Sequence, residues 1–396
     1  MKTKPTFLIV SLVIAIAGLV GWIIQLKNGL IVTNMSNMFN WGWYIATFAF
    51  LVGVAAGGMI ISSSIYLFKA EKLKPFALLA SLSAFACAVA AGCMVLVDLG
   101  AIRNILNIII HPNFSSPLVW DVIVITCYIV LTLLSVIFQL KARKEGEGAE
   151  KAKKSARTVA LVALPFAIAI HTVTALIFAT QNTEEWWHTA VLPPDFIAMA
   201  VASGGALVLI LAIIFAGKDR FAQYLDAFRI MAKIIAGALA VHFFFVLMEL
   251  ILAAWTGSLE TSALLGMLFG KYGWLYAIEL LLPAVAMVMF FTAKWTATKP
   301  AFFIGSAFVL VGTLVHRLML LLPAFHESGM GFNVLTSQGM TAWLYPVSIG
   351  RMVDGSAFAT IWNYAPTGME VLVSLLPVGI MLCIIAFVAW RHQVVK

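Results

Sequence analysis

The sequence predicts an all-α polytopic membrane protein with about ten transmembrane helices. Of its 396 residues, 63% are hydrophobic and only 11% are charged, a composition that excludes an ordinary soluble domain. The hydrophobic residues are concentrated in stretches near the roughly 20 residues that an α-helix needs to cross a bilayer. The ten predicted spans are 6–26, 42–68, 75–98, 118–140, 158–180, 194–217, 230–255, 273–294, 300–323 and 366–390.

The distribution of Lys and Arg residues predicts the orientation of these spans. Of the 25 basic residues, 20 lie at the termini and in the connections on the same side as the N-terminus, and only four lie in the opposite connections. Because cytoplasmic connections carry an excess of Lys and Arg, we expect both termini in the cytoplasm and a multi-pass protein of the cytoplasmic membrane. The net charge of +8 therefore reflects membrane topology, and no nucleic-acid partner is expected.

A weak internal repeat predicts two related halves. Tyr44 and the pair Gly57-Gly58 in span two are matched by Phe196 and the pair Gly204-Gly205 in span six. Pairs of small residues allow membrane helices to approach closely. We therefore predict two four-helix bundles, spans two to five and six to nine, with spans one and ten at the periphery. The corresponding domains are 1–41 for the first helix and its outer connection, 42–192 and 193–323 for the two bundles, and 324–396 for an outer loop and the last helix.

Three connections have distinctive compositions. Segment 98–121 places Asp, Arg, His and Asn residues between two membrane helices, and the spacing of its isoleucines predicts a short amphipathic helix over 102–110. Segment 141–157 is charged without an apolar face, which predicts a solvated linker. The outer loop 324–365 is rich in aromatic residues that suit either an interfacial belt or a docking surface for a partner. These aromatic residues are Trp343, Tyr345, Trp362 and Tyr364.

Nine ionisable residues lie within or at the ends of the predicted spans, and nearly all of them fall in the outer half. A charge at the bilayer centre costs about 2.5–3.5 kcal/mol on insertion scales, so these groups must pair or face a wet cavity. Histidines and desolvated carboxylates titrate near neutral pH, and such a set is typical of proton-coupled chemistry. For any single residue, a structural ion pair is the alternative. The nine residues are Asp98, Asp121, His171, His242, Glu249, Glu279, His316, Arg317 and Glu370.

The chain carries no predicted metal or haem site. Cys87, Cys93, Cys127 and Cys383 lie in apolar spans without CxxC spacing, which predicts neither an iron–sulfur cluster nor zinc nor a disulfide framework. A b-type haem is the competing cofactor, because two span histidines at matching depth could bind one. The histidines lack a paired pattern, and we therefore expect no haem or metal bound by this chain.

A set of short motifs runs through the chain. They are WGWYIA at 41–46, GVAAGG at 53–58, DLG at 98–100, PNFSSPLVWD at 112–121, AIHTVTA at 169–175, the pair His316-Arg317, and NYAP at 363–366 followed by Glu370. With these motifs the sequence resembles the NrfD/polysulfide-reductase family of membrane subunits, in its ten-span branch. The run at 112–121 is the most specific motif, and the resemblance covers most of the chain.

The resemblance implies a quinone-reactive subunit of a multisubunit respiratory redox complex that is not active alone. It implies a ferredoxin-like iron–sulfur subunit on the outer face and further catalytic redox subunits, which exchange electrons with a membrane quinone, menaquinone or ubiquinone. The residues agree with this picture on two points. The chain has no cluster ligands of its own, and its polar residues concentrate on the side where such a partner would dock.

We place the quinone site in spans two to five, on the basis of both residue placement and the resemblance. Asp98, His111, Asp121 and Tyr128 would hydrogen-bond the head group and exchange protons, and His171 would carry protons onward. Further predicted binding residues are Asn113, Trp120 and Arg103. The predicted proton path consists of His242, Glu249, Glu279, His316, Arg317 and Glu370.

Two other functions stay open at this point. A proton-coupled secondary transporter would explain the repeat, but its polar residues should lie near the midplane. A non-catalytic anchor for an outer-face redox enzyme would not need so many titratable groups in the membrane.

Overall fold

The computed structural model describes residues 3–36, 39–144, 147–181, 186–217, 220–325, 331–336, 339–344 and 364–395. Ten helices in these ranges are long and apolar enough to cross a membrane, which confirms the predicted all-α polytopic class. The helices are α1 (Thr3–Asn28), α2 (Trp43–Leu67), α3 (Ala77–Asp98), α4 (Asn107–Ile110), α5 (Pro117–Lys141), α6 (Glu147–Ala179), α7 (Leu192–Ala216), α8 (Leu225–Thr256), α9 (Leu259–Gly266), α10 (Gly273–Phe291), α11 (Lys299–Leu321) and α12 (Gly368–Arg391). The short α4 and α9 lie in connections.

Among the described residues between these helices are several short turns and one hairpin. Short 3-10 helices occupy Gly29–Val32, Glu71–Phe76, Ile102–Asn104 and Trp295–Ala297, and a π-helical turn occupies Met267–Lys271. In the connection before α12, strand β1 (Gly331–Thr336) pairs antiparallel with β2 (Gly339–Leu344).

The long helices pack in two rings. Helices α2, α3, α5 and α6 each pack against their neighbours in the first ring, and α7, α8, α10 and α11 do the same in the second. The rings meet mainly along α2 and α7, while α1 packs along α12 and α12 packs on α3. We call the side on which α2, α5, α7, α10 and α12 begin the outer side, following the orientation predicted from the charges. The functional domains assigned to these rings, and the cytoplasmic termini, stay predictions.

Helices α2 and α7 approach each other closely at Gly57 and Gly204. A β-carbon on Gly57 would overlap the carbonyl oxygen of Ala200, and a β-carbon on Gly204 would overlap the backbone of Gly57. Small residues let helix backbones touch in a membrane, where van der Waals packing takes over from the hydrophobic effect. The two glycines therefore set the distance between the two rings.

Two connections differ from their predicted structure. Helix α6 begins at Glu147, so most of segment 141–157 extends a membrane helix and is not a separate linker, although most of its basic side chains are exposed to solvent. Its Ala, Glu and Lys residues have high helix propensities, and they extend a membrane helix whose nucleation is already complete. Segment 102–110 forms a 3-10 turn and the single turn α4 instead of a continuous helix, because short isolated helices are marginal and β-branched isoleucines disfavour them.

The aromatic residues of the outer loop have different locations. Trp343 lies on β2, whereas Tyr345 and Trp362 lie outside the described residues. Tyr364 is buried: its hydroxyl donates to Oε1 of Glu370 at 2.5 Å and accepts the backbone N–H of Trp43 at 2.7 Å. Tyr364 therefore stabilises the interior and is not part of an exposed belt or docking surface.

We expect Gly57→Ala to lower the stability of the protein, because the added methyl group must push α2 away from α7. Overpacking of this kind costs about 1–3 kcal/mol. The matched control is Gly92→Ala on α3, where an added β-carbon meets no atom within 4 Å. Thermal unfolding of the purified protein in detergent measures the difference, and equal melting temperatures for the two variants would contradict the close contact.

Candidate functional site

A central cluster of hydrogen-bonded acids and histidines joins α7, α8, α10 and α11. His242 Nδ1 lies 2.5 Å from Asp195 Oδ1, and His316 Nε2 lies 3.2 Å from Asp195 Oδ2. The other ring nitrogen of His316, Nδ1, lies 2.7 Å from Glu279 Oε1. Asp195, His242 and Glu279 are buried. Four titratable groups on four helices therefore form one continuous network.

The position of His316 between two carboxyl groups determines how the cluster can hold protons. A neutral imidazole donates from only one of its nitrogens, yet both nitrogens of His316 contact carboxyl oxygens. Either the ring carries two protons or one of the acids is protonated. A proton can therefore pass between the ring and the acids while both hydrogen bonds persist, which is the arrangement that a proton relay needs.

Arg317 connects the central cluster to the first ring. Its Nη2 lies 3.3 Å from His171 Nε2 on α6, and its Cζ lies 3.4 Å from the centre of the Phe196 ring. The guanidinium also lies within electrostatic range of Asp195 and Glu279. Because an arginine stays charged even when it is buried, Arg317 adds a positive charge within electrostatic range of these two acids.

Several polar atoms of the central cluster, and of the neighbouring His171 and Arg317, have unused hydrogen-bonding capacity. Within the part of the chain that the structure describes, they are buried and have no hydrogen-bond partner. Buried polar atoms of this kind are sites for an ordered water or a ligand. The atoms are His171 Nδ1, His242 Nε2, Glu279 Oε2, Arg317 Nε and Arg317 Nη1.

A carboxyl–hydroxyl pair lies beside the central cluster on α5 and α6. The Thr174 hydroxyl is 2.6 Å from Asp121 Oδ1 and 2.8 Å from the Ile170 carbonyl oxygen. A hydroxyl has one proton, so both hydrogen bonds can form together only if Asp121 is protonated and donates. Thr174 follows His171 by three residues and shares its face of α6, which places the pair next to the contact with Arg317.

An outer cluster lies where α1, α2, α3 and α12 meet. The Tyr44 hydroxyl donates to Gln25 Oε1 at 2.5 Å, and Asp98 and Glu370 both lie within electrostatic range of Tyr44. Burial, followed by the charge of Glu370, raises the pKa of Tyr364, so that its hydroxyl remains a donor to that carboxylate. Asp98 Oδ1 is buried without a hydrogen-bond partner among the described residues.

The remaining predicted quinone-site residues do not extend these clusters. Four of them are exposed: Arg103, His111 and Asn113 lie on the outer connection, and Trp120 lies in the first turn of α5. The hydrogen bonds of the last two are local, from the Ser115 N–H to Asn113 Oδ1 and from Trp120 Nε1 to the Phe114 carbonyl oxygen. Tyr128 is buried, and its hydroxyl donates to the carbonyl oxygen of Ala55 at 2.6 Å. A shared quinone site for these residues stays a prediction.

Two residues have neighbours other than those expected from the sequence. Glu370 belongs to the outer cluster and is separate from the predicted proton path, because Tyr364 and the N–H of Thr367 bind its carboxylate. His171 contacts Arg317 and therefore belongs with the central cluster. Glu249 is half-buried within electrostatic range of the central cluster, as the predicted path requires.

Asp195 is the main residue that sequence reasoning missed. It lies in the first turn of α7, where acidic residues commonly stabilise the helix N-terminus and attract no further explanation. The available signal was its place directly before Phe196, the residue that the internal repeat matches with Tyr44. Thr174 gave no signal in the sequence, because a threonine hydroxyl in a helix commonly bonds to the carbonyl oxygen four residues earlier, as this one also does.

Asp195, His242 and His316 also have the composition of a transition-metal site, with ligand atoms within 4.8 Å of one another. A metal ion needs ligands that converge on one point at about 2.0–2.2 Å. The two histidine rings instead approach different oxygens of the Asp195 carboxyl group. This geometry fits a hydrogen-bond network better than a metal centre.

In the part of the chain that the structure describes, ten candidate membrane helices enclose hydrogen-bonded acids, histidines and a buried arginine, which defines a polytopic membrane protein. The chain belongs to the family described as "Polysulphide reductase, NrfD", whose sequence profile matches residues 31–326. It is similar to a putative membrane subunit of dimethyl sulfoxide reductase from Halobacterium salinarum. The two sequences are 31% identical over 380 residues, which cover 91% of this chain and 84% of the relative.

Two further relatives match about half of the chain. The "Hdr-like menaquinol oxidoreductase integral membrane subunit" of Archaeoglobus fulgidus is 28% identical over 48% of this chain and 46% of its own length. One of the polysulfide reductase polypeptides of Wolinella succinogenes is 27% identical over 46% of this chain and 61% of its own length. All three relatives are named as components of reductase or oxidoreductase systems.

We expect Arg317→Gln to destabilise the protein, because it removes a buried positive charge that lies within electrostatic range of Asp195 and Glu279. Removing one partner of a directly paired buried ion costs about 3–5 kcal/mol, and the loss should be smaller here because His316 still contacts both acids. Adding Asp195→Asn should recover part of this loss, since it removes one of the negative charges. Thermal unfolding in detergent measures both effects, with Arg220→Gln at an exposed position as the control. A double variant no more stable than Arg317→Gln would refute the charge balance.

Proposed function

We propose that this chain is the quinone-reactive membrane subunit of a multisubunit respiratory redox complex. A ferredoxin-like iron–sulfur subunit on the outer face transfers electrons between the quinone and further catalytic subunits. Membership of the NrfD family supports this proposal, as does the similarity to a relative that is named a menaquinol oxidoreductase subunit. The chain itself contributes the quinone site and the groups that exchange protons with it.

The observation that carries the proposal is a set of three neighbouring contacts between acid and base groups inside the membrane. They are the pair of Asp121 with Thr174, the contact of His171 with Arg317, and the hydrogen-bonded central cluster, which lies within electrostatic range of Arg317. Buried ionisable groups in membrane helices are costly and mark proton or ion pathways. Quinone chemistry needs such groups, because every change between quinol and quinone moves protons together with electrons.

The proposed head-group site lies at the outer ends of α3 and α5, between Asp98 and Asp121. Asp98 Oδ1 and Trp43 Nε1 are buried without hydrogen-bond partners in the described ranges. The carboxyl oxygen can accept from a quinol hydroxyl, and the indole N–H can donate to a quinone carbonyl. The residues present therefore fit a ligand that carries hydroxyl or carbonyl oxygens on an apolar ring.

In this proposal Asp121 accepts a proton from the quinol, or returns one to the quinone, as a general base or acid. Thr174 holds the Asp121 carboxyl group in place through the 2.6 Å contact. The central cluster carries protons away from the site through His316, which keeps a hydrogen bond to an acid on each side. The electrons leave through the iron–sulfur partner, and a proton route of this kind could couple turnover to proton translocation across the membrane.

We expect Asp121→Asn to lower quinol oxidation by the purified complex about 100-fold or more, because general acid–base catalysis contributes 10²–10⁴-fold. The control is Asp226→Asn, whose carboxylate is exposed at the inner end of α8. Fluorescence quenching of a quinol analogue measures binding separately from turnover. Wild-type turnover of Asp121→Asn in an assembled complex would remove Asp121 from the site, and an absence of any quinol interaction would refute the proposed function.

A pair of variants at Thr174 separates positioning from catalysis. Thr174→Val removes the hydrogen bond to Asp121 and should reduce turnover, while Thr174→Ser keeps the hydroxyl and should retain most of it. Both variants leave the Asp121 carboxyl group in place. If Thr174→Val and Thr174→Ser have the same rate of turnover, the 2.6 Å contact between Thr174 and Asp121 has no role in turnover.

A further inference from the structure

A basic cavity opens at the inner ends of the first ring, on the opposite side from the proposed quinone site. It has a volume of about 730 Å³ and lies where the end of α2, the turn Glu71–Phe76, the end of α5 and the first turns of α6 meet. Five of its lining residues are basic and one is acidic. They are Lys69, Lys74, Arg143, Lys153, Arg157 and Glu71.

Only two of these basic residues have an acidic partner in the described ranges. Lys74 pairs with Glu71 at 3.0 Å, and Lys153 pairs with Glu150 at 2.5 Å. For the others, Lys69, Arg143 and Arg157, the described part of the chain offers no carboxylate within 4.0 Å. The cavity therefore concentrates positive charge, and no carboxylate in the described ranges neutralises it at Lys69, Arg143 or Arg157.

Arg143 is a partly buried cation in the lining of this cavity. Its guanidinium donates two hydrogen bonds, to the backbone carbonyl oxygens of Gln393 and Val394, which carry no charge and leave other N–H groups available. Burial lowers the pKa of Arg143, which means that the surroundings disfavour its positive charge. An anion in the cavity would offset that effect.

Lys69 occupies its position despite an unfavourable backbone. It has φ +52°, in the left-handed region where a helix normally ends with glycine. Membrane topology alone requires basic residues on this side, but it does not require them to surround one cavity. A ligand with negative charge would account for this clustering of basic side chains.

The walls of the cavity favour a lipid over a soluble anion. Between the basic residues, apolar side chains such as Ile65, Leu78 and Ala156 line the space. The cavity also lies at the level where α2 and α5 end, at Leu67 and Lys141, which is the depth of lipid head groups. Basic pockets between membrane helices on the cytoplasmic side are typical binding sites for anionic head groups.

We propose that this cavity binds the phosphodiester head group of an anionic phospholipid, with Lys69, Arg143 and Arg157 around the phosphate. The lipid holds the inner ends of α2, α5 and α6 together, and its acyl chains extend along the apolar walls. Inorganic phosphate shares the head-group chemistry but cannot use those walls.

The test compares two double variants of the complex purified from membranes, each lacking two positive charges on the same side. Lys69→Gln with Arg157→Gln changes the cavity, and Lys151→Gln with Lys154→Gln changes exposed residues outside its lining. Binding is measured from the rise in melting temperature during titration with phosphatidylglycerol, phosphatidylcholine or inorganic phosphate in detergent. Lipid that co-purifies is quantified by native mass spectrometry.

We expect the cavity variant to bind phosphatidylglycerol about 30-fold more weakly than wild type, which corresponds to about 2 kcal/mol for two basic residues. The exposed variant should bind like wild type, and phosphatidylcholine should bind weakly to all three proteins. Equal loss in both variants would show that general surface charge attracts the lipid and would overturn the site. Stabilisation by inorganic phosphate equal to that by phosphatidylglycerol would replace the lipid by a soluble anion.

Discussion

The requirement to balance the charge of Arg317 inside the membrane organises much of this structure. A guanidinium in a low-dielectric interior needs nearby negative charge, and Asp195 and Glu279 provide it from two different helices. The acids in turn contact His242 and His316, and these hydrogen bonds join four helices of the second ring. Through His171, Arg317 reaches α6 in the first ring. The balance of buried charge and the packing of these helices therefore depend on each other.

The two rings carry comparable pairs at comparable places. In the first ring a carboxyl group on α5, Asp121, contacts a side chain on α6, and in the second ring Glu279 on α10 contacts His316 on α11. The partner is a hydroxyl in one case and an imidazole in the other, so the first pair can hold a proton but only the second can also carry a positive charge. This difference explains why the proposed function assigns proton uptake to the first ring and onward transfer to the second.

The sequence predicts the helices well and the contacts less well, for a physical reason. Hydrophobic stretches identify all ten spans because a bilayer imposes their length directly. The neighbours of each polar residue depend on long-range packing that periodicity does not encode. Glu370 illustrates this, since its partner Tyr364 comes from the outer loop and also contacts Trp43. Asp195 was overlooked because an acidic residue at the start of a helix needs no further explanation. The helical start of α6 was overlooked because the high charge of the segment suggested a linker, although its residues have high helix propensities.

The pairing of α1 with α12 has a consequence for how the protein is made. Helix α1 has α12 as its main neighbour, and eight other membrane helices are synthesised between the two. During that time α1 lies in the lipid without α12 to pack against. The same α12 brings Glu370 to Tyr44 and Asp98. The outer cluster is therefore complete only when translation has passed α12, and its fold depends on the last membrane helix to be made.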